Sequence, residues 1–219
     1  MINFIKSGTP YYKRMLTVAV PIMIQNGVTN FVSMLDNIMV GQVGTLQMTG
    51  VSIVNQLIFV FNLCIFGAMS GAGIFTAQFH GKKDDDGVRS SLQYKLISAL
   101  LLTAVGLAVF LLFGDFLISA YIQGDAGAEE RALVMQYSKS YLRIMLFGNL
   151  TFAIASAYAG TMRETTDRVV PMAATVTAVF VNLIFNYILI FGHFGAPEMG
   201  IEGAAIATVL ARFIECGIL

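Results

Sequence analysis

Charge is what this chain has least of. Only 12% of its 219 residues are Asp, Glu, Lys or Arg, and 13 acidic side chains balance 13 basic ones, so the formal net charge is zero. That balance argues against nucleic acid or any other strongly charged partner. Cysteine is nearly absent as well: Cys64 and Cys216 both fall inside apolar runs, which speaks against a disulfide framework and makes the two thiols small hydrophobes. The sequence shows no phosphate-cradling Walker loop, no His/Cys set at metal-ligand spacing and no Ser-His-Asp arrangement. It is therefore not read as an enzyme, and ATP is not its evident energy source. What it does have is apolar bulk. Hydrophobic residues make up 57% of the chain and its mean hydropathy is +0.75, more apolar surface than a soluble domain of this size can hide. The composition predicts a bilayer as the main solvent.

A helix needs about 20 residues to cross the hydrocarbon core, and the chain divides into six runs near that length, at 15–40, 51–79, 92–113, 141–162, 169–191 and 203–219. The expected fold class is all-α, a polytopic membrane protein with six transmembrane helices. Lys6, Lys13 and Arg14 ahead of the first run imitate a secretory leader. The run is longer than a leader core of about 7–15 residues and contains Pro21, Gln25 and Asn26, so it reads as a retained span. Gly41, Gly44 and Gly50 punctuate the first connection, Gly81 and Gly87 the second, and Gly192, Gly195, Pro197 and Gly200 the fifth.

Basic residues set the orientation. Lys6, Lys13, Arg14, Lys82, Lys83, Arg89, Arg163 and Arg168 all fall on one face of a six-span topology, while the connections after the first and fifth spans hold no Lys or Arg. By the positive-inside rule the N-terminus is cytoplasmic and the protein a multi-pass component of the plasma (inner) membrane. Arg131 and Lys139 on the outer side are the exception, accompanied by Asp115, Asp125, Glu129 and Glu130 in a stretch, 128–139, that reads as a short interfacial helix. The sixth run stops while still apolar, with Arg212 and Glu215 three residues apart on one helix face. That suggests a piece of a longer protein, the alternative being a natural six-span chain.

Asp36 carries the functional signal. It is the only Asp, Glu, Lys or Arg between Met15 and Lys82, and an ionisable group at bilayer depth costs about 2.5 kcal/mol or more. At about 100° per residue, Gln25, Asn26, Thr29, Asn30, Ser33, Asp36 and Asn37 project within an arc of about 140°. Any one amide there can be interhelical glue. The whole stripe, ending in a carboxylate, points to a water-lined cavity, because such groups must be satisfied within hydrocarbon. In the fifth span Asn182 and Asn186 lie one turn apart on a face shared with Thr175. Such amides donate to a carboxylate, and their carbonyls accept from the protonated acid or coordinate a bare cation, so Na⁺ at Asp36 is one candidate ion. Burial favours the neutral acid, donors or a cation the charged one, and that competition makes a switch.

Weaker signals follow. Asn55, Gln56, Asn62, Ser70 and Gln78 in the second span are cavity lining or helix glue. His80 and His193 read as residues of span ends and turns rather than ligands, and Asp84, Asp85 and Asp86 as a solvated charge run in a Lys-flanked turn. Pro21 can bend the first helix, Pro171 starts the fifth, and the 12 methionines suit pliable packing.

Four stretches resemble the multidrug and toxic compound extrusion (MATE) family: VPIMIQNGVTNFVSMLDNIMVGQVG around Asp36, SGAGIFTAQFHGKKDDDGVR, MRETTDRVVPM, and VNLIFNYILIFGHFGAPEMGIEGAAIATVLAR. The resemblance implies a twelve-helix transporter of two six-helix lobes, of which residues 1–219 would be the N-terminal one, exporting drugs or metabolites in exchange for H⁺ or Na⁺ with no other cofactor. Asp36 matches the family's first-helix acid, and Asn182 and Asn186 its fifth-helix polar pair. MRETTDR departs from the Gly-containing version of many members, and Asn186 stands where some branches have Asp, which leaves the coupling ion open.

The leading expectation is thus an alternating-access antiporter with Asp36 as its coupling carboxylate and Gln25, Asn26, Thr29, Ser33, Asn55, Asn62 and Thr175 as cavity lining. A flippase for lipid-linked precursors is the neighbouring alternative, and a non-transporting membrane scaffold or channel subunit the distant one. A flippase for anionic headgroups should line its cavity with Arg or Lys, and none lies mid-span in the first, second or fifth helices. That favours a neutral or cationic small-molecule cargo.

Overall fold

The computed structural model describes residues 9–122, 127–165 and 168–219, with side chains described at Met23 and from Asn26 onward. Six long helices follow one another: α1 (Thr9–Val43), α2 (Thr45–Gly81), α3 (Asp85–Tyr121), α4 (Ala128–Glu164), α5 (Val169–Phe191) and α6 (Gly200–Ile218), with one 3₁₀ turn at His193–Gly195. No strand occurs among the described residues. The expected all-α membrane architecture is what the chain adopts, and α2, α3, α4 and α5 are each long and apolar enough to cross a bilayer.

Helix ends follow local chemistry. Asp84 caps α3, its Oδ1 accepting from the Gly87 N–H at 3.0 Å, and Asp85 and Asp86 occupy the first turn, where negative charge favours the helix dipole. The acidic run is thus exposed and also a cap. Gly192 ends α5 in the left-handed region at φ 69°, a conformation that glycine adopts without the Cβ penalty. Pro171 lies in the first turn of α5. Two expectations need correction. Residues 128–139 are no separate interfacial helix but the start of α4; Glu129, Glu130 and Arg131 simply keep that end exposed. Nor do Gly41 and Gly50 break the chain, since both are helical and Gly44 alone separates α1 from α2.

The core lies between α2, α3 and α4, around Val54, Ile65, Ala99, Ile118, Ala153 and Ala157. The outer face of α3 presents Ile97, Leu101, Leu112 and Phe116, a surface suited to lipid tails. α1 rests mainly on α5, and α5 mainly on α6. The α5–α6 approach is close at Gly203, where an added Cβ would lie 2.6 Å from the Leu189 carbonyl oxygen; small residues allow such contact between helices in lipid. Between α3 and α4 the fully buried Lys95 pairs with Glu164 and donates to Thr161 Oγ1 at 3.2 Å.

Candidate functional site

Asp36 of α1 meets α5 through its carboxylate. Asn186 Nδ2 donates to Asp36 Oδ1 at 2.8 Å and approaches Asn182 Oδ1 at 3.2 Å. Asn182 fits in two amide orientations. In one, its Nδ2 donates to Thr208 Oγ1 of α6 at 3.2 Å. Turned over, its nitrogen donates to Asp36 Oδ2 at 2.8 Å and its oxygen accepts from the Thr208 hydroxyl and backbone N–H, each at 3.2 Å. An ionised Asp36 calls for the second arrangement, because an oxygen facing a carboxylate oxygen repels it. A protonated Asp36 can donate to Asn182 in the first. In either orientation the Asn182 amide lies between Asp36 and Thr208.

The same cluster has an oxygen to spare. Asn186 Oδ1 is buried without a hydrogen-bond partner, although buried polar atoms are nearly always satisfied. The nitrogen of the same amide is the one turned to Asp36, and an amide oxygen is a ligand type that suits a hard cation such as Na⁺. No group of three or more His, Cys, Asp or Glu that could hold a metal occurs among the described residues.

Two cavities adjoin the cluster, a main one of about 650 Å³ and a smaller one of about 320 Å³. Ser33, Asp36, Asn62, Thr208 and Arg212 line both. Of the residues expected from the sequence, Asn26, Thr29, Thr175 and Asn182 line the main cavity, and Asn55 and Asn186 the smaller one. Gln25's side chain, like Pro21's, lies outside the described residues. Ser70 joins the main cavity, while Gln56 and Gln78 are exposed. His193 stacks on Tyr187 with ring centroids 4.3 Å apart just beyond the C-terminal end of α5, and His80 is exposed at the end of α2; neither lies at Asp36.

The structure adds cavity residues to those the sequence reading had placed there. Tyr141 of α4 is buried and reaches Asn55 Oδ1 at 3.4 Å, and it lines the smaller cavity. Thr208, Arg212 and Glu215 of α6 all line the main one. Their spacing, four and then three residues, places them on one helix face, and that periodicity was the signal available. Arg163 and Glu164 reach the same cavity from the end of α4. The absence of mid-span Lys and Arg from the first, second and fifth helices thus did not make the cavity free of cations; Arg163 of α4 and Arg212 of α6 supply them.

Comparison with known proteins matches this architecture. Among curated relatives, a probable multidrug resistance protein NorM of Thermotoga maritima is 32% identical over 207 residues, covering 94% of this chain and 43% of the relative. The like-named protein of Bacillus licheniformis is 24% identical over 204 residues, covering 93% and 44%. The chain spans less than half the length of these relatives. Among solved structures, MATE in a bent conformation superposes with a TM-score of 0.76 at 22% identity, over 94% of this chain and 44% of that one. The outward-facing conformation of a multidrug resistance MATE family transporter gives 0.72 at 21%, over 91% and 42%; at that identity the likeness speaks for the fold. The MatE family model matches residues 21–188, a stretch that runs through the first-helix carboxylate and both fifth-helix asparagines, and on that match the chain belongs to the MatE family.

Proposed function

We propose that residues 1–219 form the N-terminal lobe of a secondary antiporter that exports drugs, toxic compounds or metabolites in exchange for H⁺ or Na⁺, with Asp36 as the coupling carboxylate. The observation that carries this reading is the amide cradle: two side chains from α5 converge on one carboxylate of α1, at the junction of two cavities. Asn182 and Asn186 stabilise charged Asp36 as donors and leave an amide oxygen for a bound cation. Gain and loss of that ion changes how α1 is tied to α5 and α6, and the lobe alternates between outward and inward openings with a second, similar lobe. The relatives' name of multidrug resistance protein supports a small-molecule cargo. The protein sits in the inner membrane with its N-terminus in the cytoplasm.

A lipid-linked precursor flippase calls for a basic cavity. Here Arg163 and Arg212 are offset by Asp36 and Glu215, which supports the exporter instead. The test is Asp36→Asn in the complete gene product, reconstituted in vesicles under separate Na⁺ and H⁺ gradients. Gradient-driven export should vanish while the protein stays folded; export at the wild-type rate would reject the assignment.

A further inference from the structure

We propose that Arg212 is the barrier that stops the coupling ion from leaking across the lobe when no cargo moves. The inference rests on the exporter reading and concerns how its ion is kept from flowing alone.

The two cavities are stacked along the helices. The main one touches α1 at Asn26 and Thr29 and α4 at Ala159 and Gly160. The smaller one touches α1 further on, at Asn37 and Val40, and α4 earlier, at Tyr141 and Met145. The first and fourth spans of a serial bundle run in opposite senses, so with the N-terminus cytoplasmic both comparisons put the smaller cavity toward the outer side and the main one toward the cytoplasm. They meet at a belt of Ser33, Asp36, Asn62, Thr208 and Arg212, which line both. Four of these five are neutral or invite a cation: two hydroxyls, a carboxylate, and Asn62, whose Oδ1 is buried without a hydrogen-bond partner. A carboxylate at a polar junction between two cavities is how cation channels are built. An exporter that left the junction open would dissipate the gradient that drives it.

Arg212 is the one cation of that belt among the described residues, and α4 holds it in place. Its Nη1 donates to Asn149 Oδ1 at 2.9 Å, and its guanidinium lies 5.0 Å from the centroid of the Phe152 ring. Gly148 leaves room for the stem, since a Cβ added there would lie 3.2 Å from Arg212 Cδ. No carboxylate forms an ion pair with it: the two ion pairs among the described residues are Lys95–Glu164 and Lys139–Asp115. Glu215, one turn on, instead accepts from Thr175 Oγ1 of α5 at 2.8 Å. An amide oxygen and an aromatic face fix a cation without cancelling its charge. Keeping a charge at bilayer depth is costly, which marks it as functional. A full positive charge on the belt that holds Asp36 repels H⁺ and Na⁺ alike, as a fixed arginine does in pores that exclude cations. The ion reaches Asp36 from one cavity but does not pass Arg212 to the other; it crosses only when the lobe changes its opening.

The test is a passive leak measured without cargo. The purified complete gene product is sealed in vesicles under an imposed pH gradient, with pyranine inside to report pH and valinomycin with potassium on both sides to hold the membrane potential at zero. A matched set carries a Na⁺ gradient and a trapped sodium-sensitive dye. Wild-type vesicles should hold both gradients. Arg212→Gln should dissipate at least one of them about tenfold faster or more, the scale on which one fixed charge changes ion passage through a low-dielectric site. Arg212→Lys, which keeps the charge, should stay tight. Asn149→Asp keeps the seat and its hydrogen bond but sets a carboxylate against the guanidinium, so it should leak as Arg212→Gln does, whereas an Arg212 that only packs α6 on α4 would leave it tight. Adding Asp36→Asn to Arg212→Gln should slow the leak again, because the ion steps through that carboxylate. Tight Arg212→Gln vesicles, an equal leak in Arg212→Lys or in the wild type, or a tight Asn149→Asp would overturn the proposal; should Arg212→Gln not fold, Asn149→Asp decides alone. Gradient-driven export by the wild type with tight variants would sink this inference and spare the exporter reading; leaky variants of a wild type that exports nothing on a gradient would do the reverse.

Discussion

Lys95 offers the sharpest quantitative test of the fold, because its partners are unequal. Its side chain is 0% exposed, whereas that of Glu164 is 22% exposed at the edge of the main cavity. Breaking a buried ion pair by removing one partner costs about 3–5 kcal/mol, because the other charge is left uncompensated. Glu164→Met strands the ammonium with only the Thr161 hydroxyl at 3.2 Å, so it should sit near the upper end. Lys95→Met leaves a carboxylate with some access to water and should sit near the lower. At about 1.36 kcal/mol per decade, these costs mean a folded-to-unfolded ratio reduced roughly a hundredfold to a few thousandfold. Replacing both residues with Met removes the two desolvation penalties together, and the double variant should come close to wild type. Equilibrium unfolding of the complete gene product in mixed micelles of rising dodecyl sulfate content, followed by far-UV circular dichroism, measures all four proteins. Single variants that each cost under about 1 kcal/mol, a double variant that costs their sum, or Lys95→Met as the worse single change would each refute the reasoning.

Gly203→Ala drives a methyl group to within 2.6 Å of the Leu189 carbonyl; overpacking of this kind costs about 1–3 kcal/mol, so the variant should unfold earlier and lose export, while Gly217→Ala, with nothing within 4 Å of the new methyl, should unfold like the wild type. Asn186→Leu deletes the 2.8 Å donor to Asp36, a charge-assisted bond worth about 1.5–3 kcal/mol, and gradient-driven efflux should fall about tenfold or more in the same vesicle assay. Thr208→Val keeps the shape but removes the hydroxyl 3.2 Å from Asn182, a neutral bond worth about 0.5–1.5 kcal/mol, so its loss of efflux should be only several-fold and smaller than that of Asn186→Leu.

Much of this was written in the sequence, for a physical reason: in an apolar chain every polar residue stands out. Asp36 was visible because nothing else between Met15 and Lys82 carries a formal charge of the Asp, Glu, Lys or Arg kind, and Asn182 and Asn186 because a repeat of four residues puts both on one helix face. Helix ends were harder. Hydropathy marks the hydrocarbon crossing rather than the helix, so α3 begins at Asp85 and α4 at Ala128, well before the apolar runs at 92 and 141; the intervening turns are polar and helical at once. Lys95 and Glu164 lie 69 positions apart, and no local pattern announces a partner at that distance. Arg212 and Glu215 were noticed as a pair on one helix face, but a helical spacing says only that two residues share a side. Which side faces the cavity depends on how α6 packs against α4 and α5.

That packing joins the two halves of the proposed function. Thr208 touches the Asp36 cluster through Asn182, and Arg212 and Glu215 follow it on the same face of the same helix. α6 is in turn held by Asn149 from α4 and Thr175 from α5. Under the exporter reading, the ion state of Asp36 acts on the Asn182 amide, and that amide meets α6 at Thr208, one turn before Arg212 and Glu215 on the wall of the main cavity. Cargo and ion then act on one rigid element from two ends. Thermodynamic linkage makes the effect reciprocal: whatever factor the ion imposes on cargo affinity, the cargo must impose on ion affinity. Measuring the affinity of a fluorescent cargo with and without saturating Na⁺, and Na⁺ affinity with and without saturating cargo, should therefore return the same factor. Asp36→Asn should bring it to one, because the variant no longer carries the carboxylate that holds the ion.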